Sequence, residues 1–271
     1  MEFLAINATY PLHPQKCSTK GQEDTICIGD CNTVPFPKRS RLQTGLCKEK
    51  SSGSGIFSTI SPAEGLVLQD FDLLFGAETT SKLLEKWGTT LKAKVIEQAK
   101  TLSKTPMLDY LIQSAEENPD EDDEVPGWDG DMAAILLLVY LLPPSGKKGT
   151  AKISIWEALD RVVKFHNSGR SLHEHSGPDK RRQPYILAVG MARNRIHEYY
   201  IAMDGELLPC KAKSSLSAFD ELFKVHYAFG ISYDQALNSM YTFVQTTIYN
   251  IDVRLSPETP RVKDLRAKLL N

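Results

Sequence analysis

The sequence lacks any apolar run of the ~20 residues that a bilayer-spanning helix needs. Its longest one, 132–143, is too short, so no membrane segment is expected. Net charge is nearly absent as well. Thirty-two Lys and Arg against 34 Asp and Glu leave −2, so no global field draws the chain to nucleic acid or anionic lipid. Such binding would need a local patch. Catalytic signatures are missing too. There is no G-x-x-x-x-G-K-[ST], no G-x-G-x-x-G after a strand, no H-E-x-x-H and no G-x-S-x-G. Cysteine is scarce beyond the first fifty residues. Cys17, Cys27, Cys31 and Cys47 lie within them, and only Cys210 lies beyond. Free thiols in a reducing compartment are the expectation.

The first residues, Met1-Glu2-Phe3-Leu4-Ala5-Ile6, carry an acid where a signal peptide carries basic residues, and the apolar run is short. An intracellular protein, cytoplasmic or nuclear, is therefore expected, and the sequon Asn7-Ala8-Thr9 carries no meaning there.

What is present divides the chain in two. Residues 1–55 show no sustained period, hold Pro11, Pro14, Pro35 and Pro37, and end in Ser51-Ser52-Gly53-Ser54-Gly55. They read as a disordered or weakly ordered arm. Residues 56–271 read as a single globular α+β domain, mainly helical. Leu84, Trp87, Leu91 and Val95 recur every three or four residues behind a cap at Thr80 or Ser81, with Gly88-Thr89-Thr90 as a break point. Thr105-Pro106 opens another helix, with Leu108, Leu111, Ile112 and Ala115 on one side. Nine acids and no Lys or Arg fall in 116–131, so an exposed acidic loop is expected there, with Trp128 tucked back onto the domain.

Residues 132–142 are apolar all round, which on a helix means burial on every face. At about 1.5–3 kcal/mol per buried Leu or Ile, this segment supplies on the order of 10–20 kcal/mol before entropy is counted. It is the expected central helix, ended by Pro143-Pro144 and surrounded by amphipathic helices. One of these opens at the capping box Ser154-Ile155-Trp156-Glu157, shows Ile155, Leu159, Val162 and His166 on one face, and stops at 167–169. The β signal is confined to 185–210. Strands at 185–189, 196–203 and 206–210, with Asp204-Gly205 as a hairpin turn and Pro209 marking an edge, predict a small three-stranded antiparallel meander. Two further helices follow. One holds Phe219, Leu222, Phe223, His226 and Tyr227 and ends at Gly230. The other opens at a capping box, Ser232-Tyr233-Asp234-Gln235. A short basic helix is expected at 261–270.

Each candidate chemistry has a plainer reading beside it. Cys27-x3-Cys31 with Cys17, Cys47 and His13 can supply four zinc ligands, but the spacing matches no common finger, and free thiols are preferred. His173-Glu174-His175, with His166 upstream, can chelate a metal, yet no third ligand has an evident position, and solvated histidines are preferred. The acidic run lacks the ligand alternation and central glycine of a calcium loop. Cys210 and His226 can in principle pair as nucleophile and base, but nothing in their spacing requires them to meet. Residues 35–41 hint weakly at a nuclear localisation signal or a partner-binding peptide. No cofactor, metal or catalytic residue is expected.

The nucleic-acid candidates are Lys180, Arg181, Arg182, Arg193 and Arg195, with Tyr199 and Tyr200 as a stacking face. An antiparallel strand pair would put 180–182 and 192–195 at opposite ends, and core tyrosines are preferred.

Several segments carry a resemblance. These are Gly127-Trp128-Asp129-Gly130-Asp131-Met132-Ala133 with Pro143-Pro144, Gln183-Pro184-Tyr185-Ile186-Leu187-Ala188-Val189-Gly190, the longest stretch 216–249, and Pro260-Arg261-Val262-Lys263-Asp264-Leu265-Arg266. Together, over about 57–271, they resemble the C-terminal region of vertebrate, especially fish, sterile alpha motif domain-containing protein 3-like proteins. The sterile alpha motif itself is not visible in 1–55. The resemblance implies no activity and transfers no functional residue. The leading expectation is a non-enzymatic protein-interaction or scaffold domain, and the second is a nucleic-acid-binding module using the basic loop. The third is an enzyme of unread chemistry, which a deep pocket with converging polar groups would support.

Overall fold

A computed structural model of the chain describes residues 65–116, 127–145, 152–175 and 183–270. The expectations for the arm 1–55, for most of the acidic run and for Lys180, Arg181 and Arg182 lie outside the described residues.

The fold is α+β and mainly helical, and it is organised on the apolar helix. Asp129 caps that helix at Gly130–Leu141, its carboxylate accepting from the N–H groups of Asp131 and Met132. From Met132 to Leu141 only Tyr140 is less than buried. Four helices press on it: Lys92–Lys100, Pro106–Glu116, Ile155–Val162 and Ser215–Ala228. Numbered in chain order, the helices are α1 (Leu66–Phe75), α2 (Ala77–Lys86), α3 (Lys92–Lys100), α4 (Pro106–Glu116), α5 (Gly130–Leu141), α6 (Ile155–Val162), α7 (Ser215–Ala228), α8 (Asn238–Phe243) and α9 (Pro260–Leu270).

Helix α1 was not foreseen. It buries only Val67 and Phe71, too sparse a stripe to read as a period. Helix α2 begins at Ala77 after Gly76, three residues ahead of the expected cap, and Thr80 turns its hydroxyl back onto the Gly76 carbonyl. Leu83 takes the core position, while Leu84 stays 44% exposed. The Gly88-Thr89-Thr90 step widens the helix instead of breaking it. A π-helical turn, Trp87–Leu91, joins α2 to α3 and keeps both Trp87 and Leu91 in the core. Thr89 and Thr90 donate to the carbonyls of Glu85 and Lys86 across this turn.

The expected meander is present: β2 (Tyr185–Ala192), β3 (Arg195–Met203) and β4 (Glu206–Pro209) are antiparallel in sequence. Asp204 and Gly205, with φ of 52° and 83°, make the tight turn between β3 and β4. Pro209 lies on an edge strand, as its missing N–H requires. The sheet, however, has four strands. β1 (Val163–Asn167) pairs parallel with β2, Val163 opposite Ile186 and His166 opposite Val189. The expected helix across 155–166 therefore ends at Val162. The β-branched pair Val162-Val163 tolerates the switch, and the free edge of β2 supplies a ladder that local sequence does not reveal.

β2 reads as continuously apolar because both of its faces are covered. Ile186 and Ala188 enter the main core with Tyr199 and Ile201, whereas Tyr185, Leu187, Val189 and Ala202 form a smaller cluster with Leu172, Tyr200 and Leu207.

Gly230 has φ of 64°, the left-handed close expected for α7. The capping box expected at 232–235 does not form, and α8 starts only at Asn238. Asp234 is drawn elsewhere. Its carboxylate accepts from Arg161 Nη1 at 2.9 and 3.0 Å and from the Ala236 N–H at 2.8 Å, which holds a turn. A second π-helical turn, Val244–Ile248, continues α8.

Candidate functional site

Helix α6 places an apolar side against α5 and leaves Trp156 61% exposed at its start. The strand that follows it turns Phe165 toward Trp128, ring centroids 6.3 Å apart and edge-on. Between these elements lies a groove of about 330 Å³. Its floor is apolar: Met107 and Leu111 from α4, Leu136 from α5, Leu159 from α6 and Val163 from β1. Trp128 and Trp156 form aromatic walls, and Asp160, Lys164, His175 and Arg193 bring polar groups to the lining.

The cations are set by local geometry. Arg193 occupies the turn between β2 and β3, where the register pairs Ala192 with Arg195. Its guanidinium carbon stands 5.3 Å from the Trp128 ring, and its carbonyl accepts from the Asp129 N–H at 3.3 Å. Lys164 lies over the Tyr185 ring at 4.6 Å.

One of the lining residues, His175, meets a second histidine. His166, buried in β1, has Nδ1 3.0 Å from His175 Nε2 in the short 3-10 turn Leu172–His175. Its Nε2 lies 3.1 Å from the Arg170 carbonyl. The expectation of solvated histidines therefore fails for this pair. The helix-to-strand switch at Val163 carries His166 inward, and the loop returns His175 onto it.

The other sequence candidates disperse. Arg193 and Arg195 flank one turn, both exposed, and only Arg193 reaches the groove. Tyr199 is buried, and its hydroxyl lies 3.0 Å from Ser215 Oγ, with burial pushing its phenol up to about 12. Tyr200 packs in the smaller cluster and donates to Glu198 at 3.1 Å. Tyr199 therefore offers no free stacking face, whereas Tyr200 is half-buried. Burial pushes the Cys210 thiol up, with Glu221 adding to the effect, which disfavours a thiolate. Burial pushes His226 down to about 4, and its Nδ1 donates to the Leu222 carbonyl at 3.0 Å while its ring packs against Tyr233 and Tyr241. These are core groups.

Two buried polar clusters escaped the sequence reading. On α7, Lys224 Nζ stands 2.5 Å from Asp220 Oδ2 and donates to the Thr80 carbonyl at 2.9 Å. The Tyr249 hydroxyl donates to the other oxygen of Asp220. Ser215 Oγ donates to Asp129 Oδ2 at 2.5 Å, tying the cap of α5 to the start of α7. Burial holds both carboxyls above the usual carboxylate range. The available signal was an Asp–Lys pair spaced i, i+4 on a helix rich in apolar residues.

Among the described residues no three His, Cys, Asp or Glu side chains converge as a metal cluster. No helix among them is long and apolar enough to cross a membrane. Comparison of the chain with protein-family models, curated proteins and solved structures finds no match.

Proposed function

We propose that the chain is a non-enzymatic protein-interaction module that holds a partner's peptide segment in the groove between α4, α5, α6 and β1. The observation that carries this reading is the exposed Trp156 beside an apolar floor, with Lys164 and Arg193 on the lining. Water-exposed tryptophan over a concave apolar surface is characteristic of binding anchors, which Trp and Arg dominate. The groove is partly open to solvent, which suits a side chain of a peptide segment. The two cations favour a segment that sets acidic residues beside one aromatic or aliphatic anchor. The burial of Tyr199 weakens the alternative of a nucleic-acid module, and the raised Cys210 thiol and the core-bound His226 weaken that of a nucleophile–base pair. We propose likewise that the protein is intracellular and is related to the C-terminal regions of sterile alpha motif domain-containing protein 3-like proteins.

Selection of a random peptide library on the full chain tests it. Enriched peptides should carry an apolar anchor next to Asp or Glu. Trp156→Ala should weaken them at least tenfold while leaving the melting temperature unchanged, because the indole is mostly in water. Peptides held equally well by Trp156→Ala, or enrichment of nucleic acid alone, would overturn the proposal.

A further inference from the structure

The histidine pair has the nitrogen–nitrogen spacing of two ligands to one ion. Two nitrogens bound at 2.0–2.1 Å and set 90–109° apart stand roughly 2.9–3.4 Å from each other. His166 Nδ1 and His175 Nε2 are 3.0 Å apart, with their rings at 85°. The Arg170 carbonyl supplies the second half of the case. An oxygen 3.1 Å from His166 Nε2 demands a proton there, which in the neutral ring leaves the lone pair on Nδ1, the atom that faces His175. Metal-binding histidines are oriented in this way, by a hydrogen bond from the nitrogen that does not bind.

We propose that His166 and His175 form a two-histidine site for a divalent transition-metal ion, with water completing the coordination. The ion replaces the hydrogen bond between the rings. His175 shifts its own proton to Nδ1, so no net proton leaves a neutral pair on binding. The elements that carry the ligands explain their placement. β1 is locked in register by β2, with His166 opposite Val189, so one ligand is rigid. The other rides on a short turn of four residues, and its ring swings so that both lone pairs converge on the ion. His173, two residues before His175, is exposed and outside this contact.

The probe is Cu2+, which imidazole sites bind most tightly among first-row divalent ions. Titration of the full chain, followed by electron paramagnetic resonance, should show one ion whose hyperfine pattern reports two imidazole nitrogens. His175→Gln should lower the affinity at least tenfold and remove one nitrogen from the pattern. His173→Gln should change neither. The nitrogen signature separates this site from thiolate binding by the cysteines of 17–47. His166 is buried, so His166→Gln is read only alongside circular dichroism, and the half-buried His175 carries the decision. A spectrum without paired imidazoles, or unchanged affinity and pattern in His175→Gln, overturns the proposal.

Discussion

His226 shows what burial does to a single ionisable group here. The imidazole lies on α7 among Tyr233, Tyr241 and the Leu222 carbonyl, and burial lowers its pKa from 6.5 to about 4. The folded state therefore binds this proton less readily than the unfolded one. The stability it contributes is complete above about 6.5 and is lost as pH falls toward 4, at up to about 1.4 kcal/mol per pH unit. His226→Gln should flatten the dependence of unfolding free energy on pH in that window, measured by urea denaturation at pH 7, 5.5 and 4.5. Parallel curves for the two proteins would show that another group titrates there. A sequence stripe places His226 on an apolar helix face, but the tyrosines that enclose it come from a segment whose own capping box does not form. Its burial was legible and its surroundings were not. Trp156 behaves in the opposite way. Its position in a capping box says where the helix starts but not which side of that helix lacks a neighbour.

Elements with a local cause were readable, and those with a non-local cause were not. The α5 run, the Thr105 and Ser154 caps and the Asp204-Gly205 turn each follow from a few adjacent residues. β1 does not, because its hydrogen bonds go to a strand about twenty residues away. Gly190 marks the place where β2 and β3 change register. A Cβ added there would stand 2.2 Å from the Arg195 carbonyl oxygen, with no flexible side chain to give way. Gly190→Ala should cost about 1–3 kcal/mol through overpacking. Gly88→Ala, in the π-helical turn, meets nothing within 4 Å and should be neutral or gain about 0.5–1 kcal/mol from helix propensity. Urea midpoints for the two variants should therefore move in different directions or by clearly different amounts. A Gly190→Ala protein as stable as wild type would argue against the bulge.

At the scale of the molecule, α9 closes the helical side of the structure. Val262, Leu265 and Leu269 are buried, Lys94 donates to the Leu269 carbonyl at 2.8 Å, and Arg266 reaches Thr246, Thr247 and Glu258. Three such side chains at about 1.5–3 kcal/mol each approach the whole stability of a typical domain. A chain ending at Thr259 should lose its cooperative thermal transition or melt far lower, as calorimetry would show. A transition within a few degrees of wild type would mean that α9 is peripheral.

The class of fold, the central helix and the meander were legible along the chain, because apolar periodicity, caps and turn residues act over a few positions. That a fourth strand joins the sheet, that His166 meets His175, and that Trp128, Trp156, Lys164 and Arg193 share one groove emerge in the folded chain. The residues of each of those groupings stand apart in the chain, and only the strand ladder, the returning turn and packing around α5 bring them together.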